Sequence, residues 1–479
     1  MSSEKRKMFN RREFLTLAGG AAGALSLAGC CAQATPEVVE REVEVTTIVE
    51  GTPVVEKVVE TVVMEPEEEA PPEGPVTIRW WHVWGGSRVE MMDEQVVDFQ
   101  GLHPDITVDH LLIDQKAMNE KYLTAMASGD PPDVIMIRGR DFQKFATQDT
   151  LVELDPYLAA NDMDLDDIFY EAEYKTGQWD GKTYALPVAT GGGFYFFFYN
   201  ADQLAEVGYD EPPKTWQELE DASQKLTIKS GGEFERIGFD NNAFANYPFK
   251  EWLFLNDGTY MSSDGKEFVF DSEQGYDTLE WMVGFNDRLY GGFEEIVGAM
   301  GAATWRSEPF ENGILSMMVH GVWSFKGFIE EPPDFEWGAS AMPYNADNPN
   351  AEYRHIVEGG WLYGIPKLSQ YHDAAWELTR YATAGEGNHK FMKGMFRPSP
   401  AMEYNADPWF AENNPYWDVV QEALAVGVQS PTTPVQSETD TVITEMREQA
   451  MYGKQTPQEA IDWAIEEAQR ILDEYWASA

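Results

Sequence analysis

At 479 residues the chain is longer than one ordinary hydrophobic core supports, so two domains with additions are expected. Its formal net charge of −49 argues against a nucleic-acid partner and matches a strongly solvated surface. The two cysteines, Cys30 and Cys31, lie together near the start, so the mature fold is expected to hold no internal disulfide or cysteine-based metal site.

Residues 1–31 have the pattern of an export signal. Lys5, Arg6 and Lys7 give a positive start, and Asn10-Arg11-Arg12-Glu13-Phe14-Leu15 resembles a twin-arginine motif. The Gly/Ala/Leu stretch that follows is too short and too rich in glycine for a stable membrane span. Leu27-Ala28-Gly29-Cys30 resembles a bacterial lipobox, which implies diacylglycerol on the Cys30 sulfur. Two acyl chains suffice for stable anchoring. Residues 32–75 are low in complexity, built from Glu and Val with Pro at both ends. With few aromatics and many mutually repelling glutamates, the segment reads as a solvated tether, with a self-associating β stalk as the other option.

The folded part begins at Val76. Val76 to Trp81 reads as a strand, and Gly85-Gly86 as a loop. Ser87 and Glu90 have capping-box spacing, and Val89, Met92, Val96 and Phe99 keep helical spacing. Ile106, Val108, His110 and Leu112 alternate as a second strand. A helix ends near Ser128-Gly129, and Asp133 to Ile137 is a buried third strand. This order predicts a parallel sheet with right-handed crossovers. Ligands of such sheets sit at the carboxyl ends of the strands, here Trp81 to Trp84 and Arg138 to Asp141.

From Gly177 to Gly208 the chain is expected to cross between lobes. Asp180-Gly181 is a tight-turn dipeptide, Thr183 to Pro187 a strand, and Gly191 to Gly193 a sterically open break. Phe194 to Tyr199 has no polar residue, so it predicts a strand covered on both sides. Asn200 can cap a helix that Gly208 ends. Beyond it, Thr215 and Glu218 cap another helix, Ile237 to Phe239 and Leu315 to Val319 are strands, and Pro457 sits at the first position of the last helix.

Catalytic and metal readings fall short on the residues. Gly177 to Thr183 mimics a phosphate loop but is one residue short and leads into a strand. Asp162, Asp164, Asp166 and Glu173 resemble a calcium loop, yet Asp167 stands where glycine is needed, so an acidic helix start is expected. No HExxH or G-x-S-x-G pattern occurs among the residues. The aromatics remain: Trp81, Trp84, Trp305, Trp323 and Trp361 sit beside strand ends or glycine-rich loops, where indoles can pack on sugar faces. Arg140, Asp141 and Asn242 can supply the fixed donors and acceptors that hydroxyls need, with Arg138 and His82 as alternatives. Trp376 keeps helical spacing and belongs in the core.

The ordered set Ser128 to Val134, Leu154 to Tyr157, Gly181-Lys182 to Pro187, Tyr199-Asn200, Pro213 to Leu219, Glu311 to Gly313, Gly321 to Trp323, Glu358 to Gly360 and Ala374 to Glu377 resembles the family 1 extracellular solute-binding proteins. These are the substrate receptors of ABC importers. The resemblance implies a two-lobed α/β fold of the type II periplasmic-binding-protein kind, each lobe a central mostly parallel sheet flanked by helices, with a hinge between. It implies residues 76–192 and 357–398 in the N-terminal lobe, and 193–356 and 399–479 in the C-terminal lobe. The ligand would be a carbohydrate, contacted by Trp81, Trp84, Arg140, Asp141, Thr190, Asn242, Phe244, Trp305, Trp323 and Trp361. It further implies ABC permease subunits as partners, a monomer, no cofactor, no enzymatic activity, and an extracytoplasmic location with membrane attachment through lipid only. The rivals are a receptor for a polyol, glycerophosphodiester or peptide, a secreted carbohydrate-active enzyme, and an adhesion or surface-layer protein.

Overall fold

The computed structural model describes residues 38–49, 52–63, 74–190, 194–242, 248–301, 307–357 and 359–478. The export signal with Cys30 lies outside these residues, as do Gly191 to Gly193, Phe244, Trp305 and Glu358. The chain divides into two units, Met1–Pro71 and Pro72–Ala479.

In the first unit, part of the segment expected as a tether forms a β-hairpin. Val38–Val49 and Thr52–Val63 pair antiparallel along their whole length. Valine favours the pleated backbone. The register also sets Arg41 opposite Glu60 and Glu44 opposite Lys57, so opposite-sign residue types share rungs, which favours pairing.

In the second unit, alternation decides the first sheet. Its order is Ile106–Leu112, Val76–His82, Val134–Arg138, Trp361–Gly364, Ala185–Ala189. Val134 and Met136 join one hydrophobic cluster with Ile78, Trp80 and Tyr363, while Ile135 and Ile137 join another with Tyr122 and Phe145. Both faces are therefore covered, as an unbroken apolar run requires. The second sheet runs Ile228–Ser230, Glu233–Phe239, Leu315–Gly321, Tyr195–Asn200, Trp337–Ser340. Phe194 and Phe196 to Phe198 are completely buried there, as their sequence predicts.

The two lobes and their flanking helices match the expected fold class, but the sheets are mixed. In the first, Val76–His82 is parallel to both neighbours, whereas Trp361–Gly364 is antiparallel to both of its own. In the second, the one parallel pair is Glu233–Phe239 with Leu315–Gly321. Strands next to the crossings leave or enter a lobe from its neighbour's side, so they run against the strands built by local crossovers.

Local signals were realised unevenly. Asn200 and Thr215 cap their helices through side-chain oxygens, and Thr456 with Glu459 forms a reciprocal capping box. Asp180 and Gly181 both have positive φ, so the hairpin turn is as expected. Ser87 stands before its helix in a helical conformation and makes no side-chain cap bond. Asp164 caps the short helix Leu165–Ile168 by accepting from Asp166 N at 3.0 Å, the acidic helix start that the sequence predicts. No helix among the described residues is long and apolar enough to cross a membrane.

Candidate functional site

The lobes meet where Val134–Arg138 ends. A glycine pair makes this possible. A Cβ on Gly139 would stand 2.4 Å from Gly359 Cα, and Gly359 has φ +71°, so the returning chain lies against the strand end only because both positions lack side chains. Gly139 N donates to Gly360 O at 3.2 Å and fixes the crossing. The register then sets Trp361 opposite Arg138 on one side and Ala189 on the other. Trp361 is partly buried, with its ring centre 5.7 Å from that of Trp84.

From the second lobe, Trp323 follows Leu315–Gly321 and is 38 % exposed. Its indole lies back over Gly321, where a Cβ would meet the ring at 2.2 Å. That explains the glycine two residues before the tryptophan. Tyr195 and His320 hold the ring edgewise at 6.1 and 5.8 Å. The buried His320 imidazole is pushed down to about 4 by desolvation, so it stays neutral beside the indole.

Asp141 is 4 % exposed, and both of its carboxylate oxygens are engaged. Arg138 Nε donates to one at 2.8 Å, and Ser437 Oγ, from the helix Gln436–Met451 of the second lobe, donates to the other at 3.0 Å. The expected hydroxyl acceptor is thus a contact between lobes. Arg140 points the same way, with Nη1 3.8 Å from Asp440 Oδ2. Asp440 is 1 % exposed and accepts from Lys250 Nζ at 2.6 Å and Gln436 Nε2 at 2.8 Å.

Four more of the expected contacts have different surroundings. Trp84 is 1 % exposed, and its Nε1 donates to Tyr363 at 3.1 Å, so it is a core residue walled in by Trp361 and Phe391. Trp81 faces the opposite side of the sheet from Trp80, stacks on Tyr122, and floors a groove of about 610 Å³ against the helix Met118–Ala127. Thr190 is fully buried, its hydroxyl donating to Pro398 O at 3.2 Å. Asn242 ends the Asp240 turn, and its buried Oδ1 accepts no hydrogen bond from a described residue. The alternative His82 is likewise fully buried, and its Nδ1 accepts from Trp84 N at 3.1 Å. Trp376 is in the core, as its spacing predicts.

One residue at this boundary was missed. Arg397 is 4 % exposed, donates through Nη2 to the Thr190 carbonyl, and stands 6.0 Å from the Trp323 ring centre. It follows a helix end in a Phe-Arg-Pro-Ser-Pro stretch without periodicity, so nothing in the local sequence marks it.

The family model for bacterial extracellular solute-binding proteins matches residues 94–415. The chain belongs to that family, which places it outside the cytoplasm. The sn-glycerol-3-phosphate-binding periplasmic protein UgpB of Pectobacterium atrosepticum is 25% identical over 295 residues, 57% of this chain and 63% of that protein. UgpB of Escherichia coli K12 is 25% identical over 298 residues, 57% of this chain and 64% of that one. The chain thus spans less than two thirds of the length of these curated relatives. Among solved structures, the sugar-binding protein MalE from Xanthomonas citri is 26% identical, with TM-score 0.69, covering 84% of this chain and 98% of that one. CpMnBP1 with mannotriose bound has the same fold, with TM-score 0.69 at 23% identity over 82% of this chain and 100% of that one.

Proposed function

We propose that this protein is the substrate-binding component of an ABC importer, closing its two lobes on a carbohydrate and presenting it to permease subunits. The observation that carries this reading is Trp323: an indole more than a third exposed, held edgewise at the lobe boundary opposite Arg397. Such a ring offers a flat apolar face to the C–H groups of a sugar. The likeness to MalE of Xanthomonas citri, named as sugar-binding, supports it. No bond is made or broken in this reading. The ligand favours the closed arrangement because it touches both lobes. The lobes are residues 76–192 with 357–398, and 193–356 with 399–479. Trp361, Arg140, Asn242, Phe244 and Trp305 complete the proposed contacts. A thermal-shift screen of the purified chain over a sugar library tests the reading, since a bound ligand raises the melting temperature by mass action.

A second reading, a receptor for a polyol or glycerophosphodiester, is favoured by the glycerol-3-phosphate-binding relatives. The same screen with glycerol phosphates and polyols added separates the two.

The protein is further proposed to be a monomer anchored by lipid on Cys30 after twin-arginine export. Cys30→Ala would then release full-length protein from the membrane fraction. A variant that fractionates like the wild type contradicts the anchor.

A further inference from the structure

In a chain with 83 acidic residues, Arg88 and Arg397 make no ion pair with any described residue. Arg88 donates from Nε to Gly85 O at 3.0 Å and lies 5.4 Å from the ring centre of Trp84. Arg397 bonds the Thr190 carbonyl, faces Trp323 of the other lobe, and keeps Nε without a hydrogen-bond partner. No carboxylate oxygen of a described residue lies within 4.0 Å of either guanidinium. The two cations are close enough that Arg88 helps to depress Arg397, after burial itself. The acid nearest in effect is Glu173, itself buried with Oε2 unpartnered. Burial pushes its carboxyl up to about 8 against the pull of Arg397, so it compensates the guanidinium only in part.

A buried cation without a counter-ion is costly, and an anion entering beside it recovers that cost through charge-assisted hydrogen bonds. Resting on the carbohydrate reading above, we infer that the ligand carries an anionic group, a carboxylate or a phosphate, seated on Arg397 and Arg88 while its ring packs on Trp323. The lobe boundary would then select acidic sugars over their neutral parents, since a neutral ligand leaves both guanidinium groups short of counter-charge.

Calorimetric titration of the full chain with glucose, glucuronate, glucose 6-phosphate, galactose, galacturonate and inorganic phosphate tests this. An acidic sugar is expected to bind at least tenfold more tightly than its parent, and the better of the two acid types identifies the group. Arg397→Met is expected to shrink that preference to less than threefold, with Arg397→Lys intermediate. Arg88→Met, at a less buried position, serves if Arg397→Met does not fold. Neutral sugars binding as tightly as the acids would overturn the inference and leave the carbohydrate reading intact. Phosphate binding lost in Arg397→Met, with no sugar bound, would overturn the carbohydrate reading and retain the anion seat. Equal loss of neutral and acidic sugars in the variants would make the arginines structural and overturn the inference.

Discussion

Ser437 Oγ donates to Asp141 Oδ1 at 3.0 Å, tying a helix of the second lobe to the turn that ends a strand of the first. If it breaks when the lobes part, the bond biases the opening equilibrium by its net strength, about 1 kcal/mol. Ser437→Ala is therefore expected to favour the open form by about fivefold and to weaken ligand binding by no more than that. Small-angle scattering of the ligand-free variant would report a larger radius of gyration. An unchanged radius with unchanged affinity would mean that the bond plays no part in closure.

The ion pair of Lys250 with Asp440 is 1 % exposed at both side chains. Breaking a buried pair from one side leaves a charge without its partner, so Lys250→Met should cost about 3–5 kcal/mol in urea unfolding. Pairing it with Asp440→Leu should recover much of that loss. If the double variant is as unstable as the single one, packing and not charge dominates there.

Gly139 and Gly359 set a steric limit on the crossing. Gly139→Ala places a Cβ on the Gly359 backbone, where neither chain has a side chain to move aside. A loss of at least about 2 kcal/mol is expected, larger than the ~1 kcal/mol typical of point changes. A loss below 0.5 kcal/mol, on the order of a surface substitution, would contradict the close approach.

What the sequence could yield divides at this crossing. The strands and helices from Val76 to Arg138 follow from alternation and turn residues, each a signal within a few positions. Partners hundreds of residues apart leave no such trace: Ser437 stands 296 positions from Asp141. Trp81 and Trp84 were placed at the right strand end, but which face each takes depends on the helix that covers it. Trp323, after Gly321, was singled out by its likeness to the family's pattern, and the ring lies over that glycine. Arg397 carries no local pattern, because its surroundings, the Thr190 carbonyl and the Trp323 ring, come from distant parts of the chain.

Stability should fall on both sides of neutral pH. Burial pushes His82 and His355 down to about 3 and His320 to about 4, with His110 adding to the shift at His82. Below about 6.5 the unfolded chain binds protons that these native rings refuse, so stability is lost as pH falls from there toward 3–4. Glu173 works in the opposite sense. Its folded carboxyl is raised to about 8, so stability is lost as pH rises from the unfolded value of 4.5 through 8. Glu173→Gln should flatten the decline in melting temperature between pH 6.5 and 8. The same slope as in the wild type would contradict its burial as a neutral acid.

The claim that a carbohydrate is held at the lobe boundary rests most heavily on Trp323. Removing a stacking indole forfeits contact worth on the order of 2–3 kcal/mol, so Trp323→Ala should weaken binding by about 30- to 160-fold. Because the ring is 38 % exposed, circular dichroism and melting temperature should change little. The decisive measurement is calorimetric titration of both proteins with the sugar that gives the largest thermal shift. The account predicts micromolar or tighter binding by the wild type and its near loss in the variant with the fold intact. Equal affinity in the two proteins, or no sugar that binds the wild type, would contradict it.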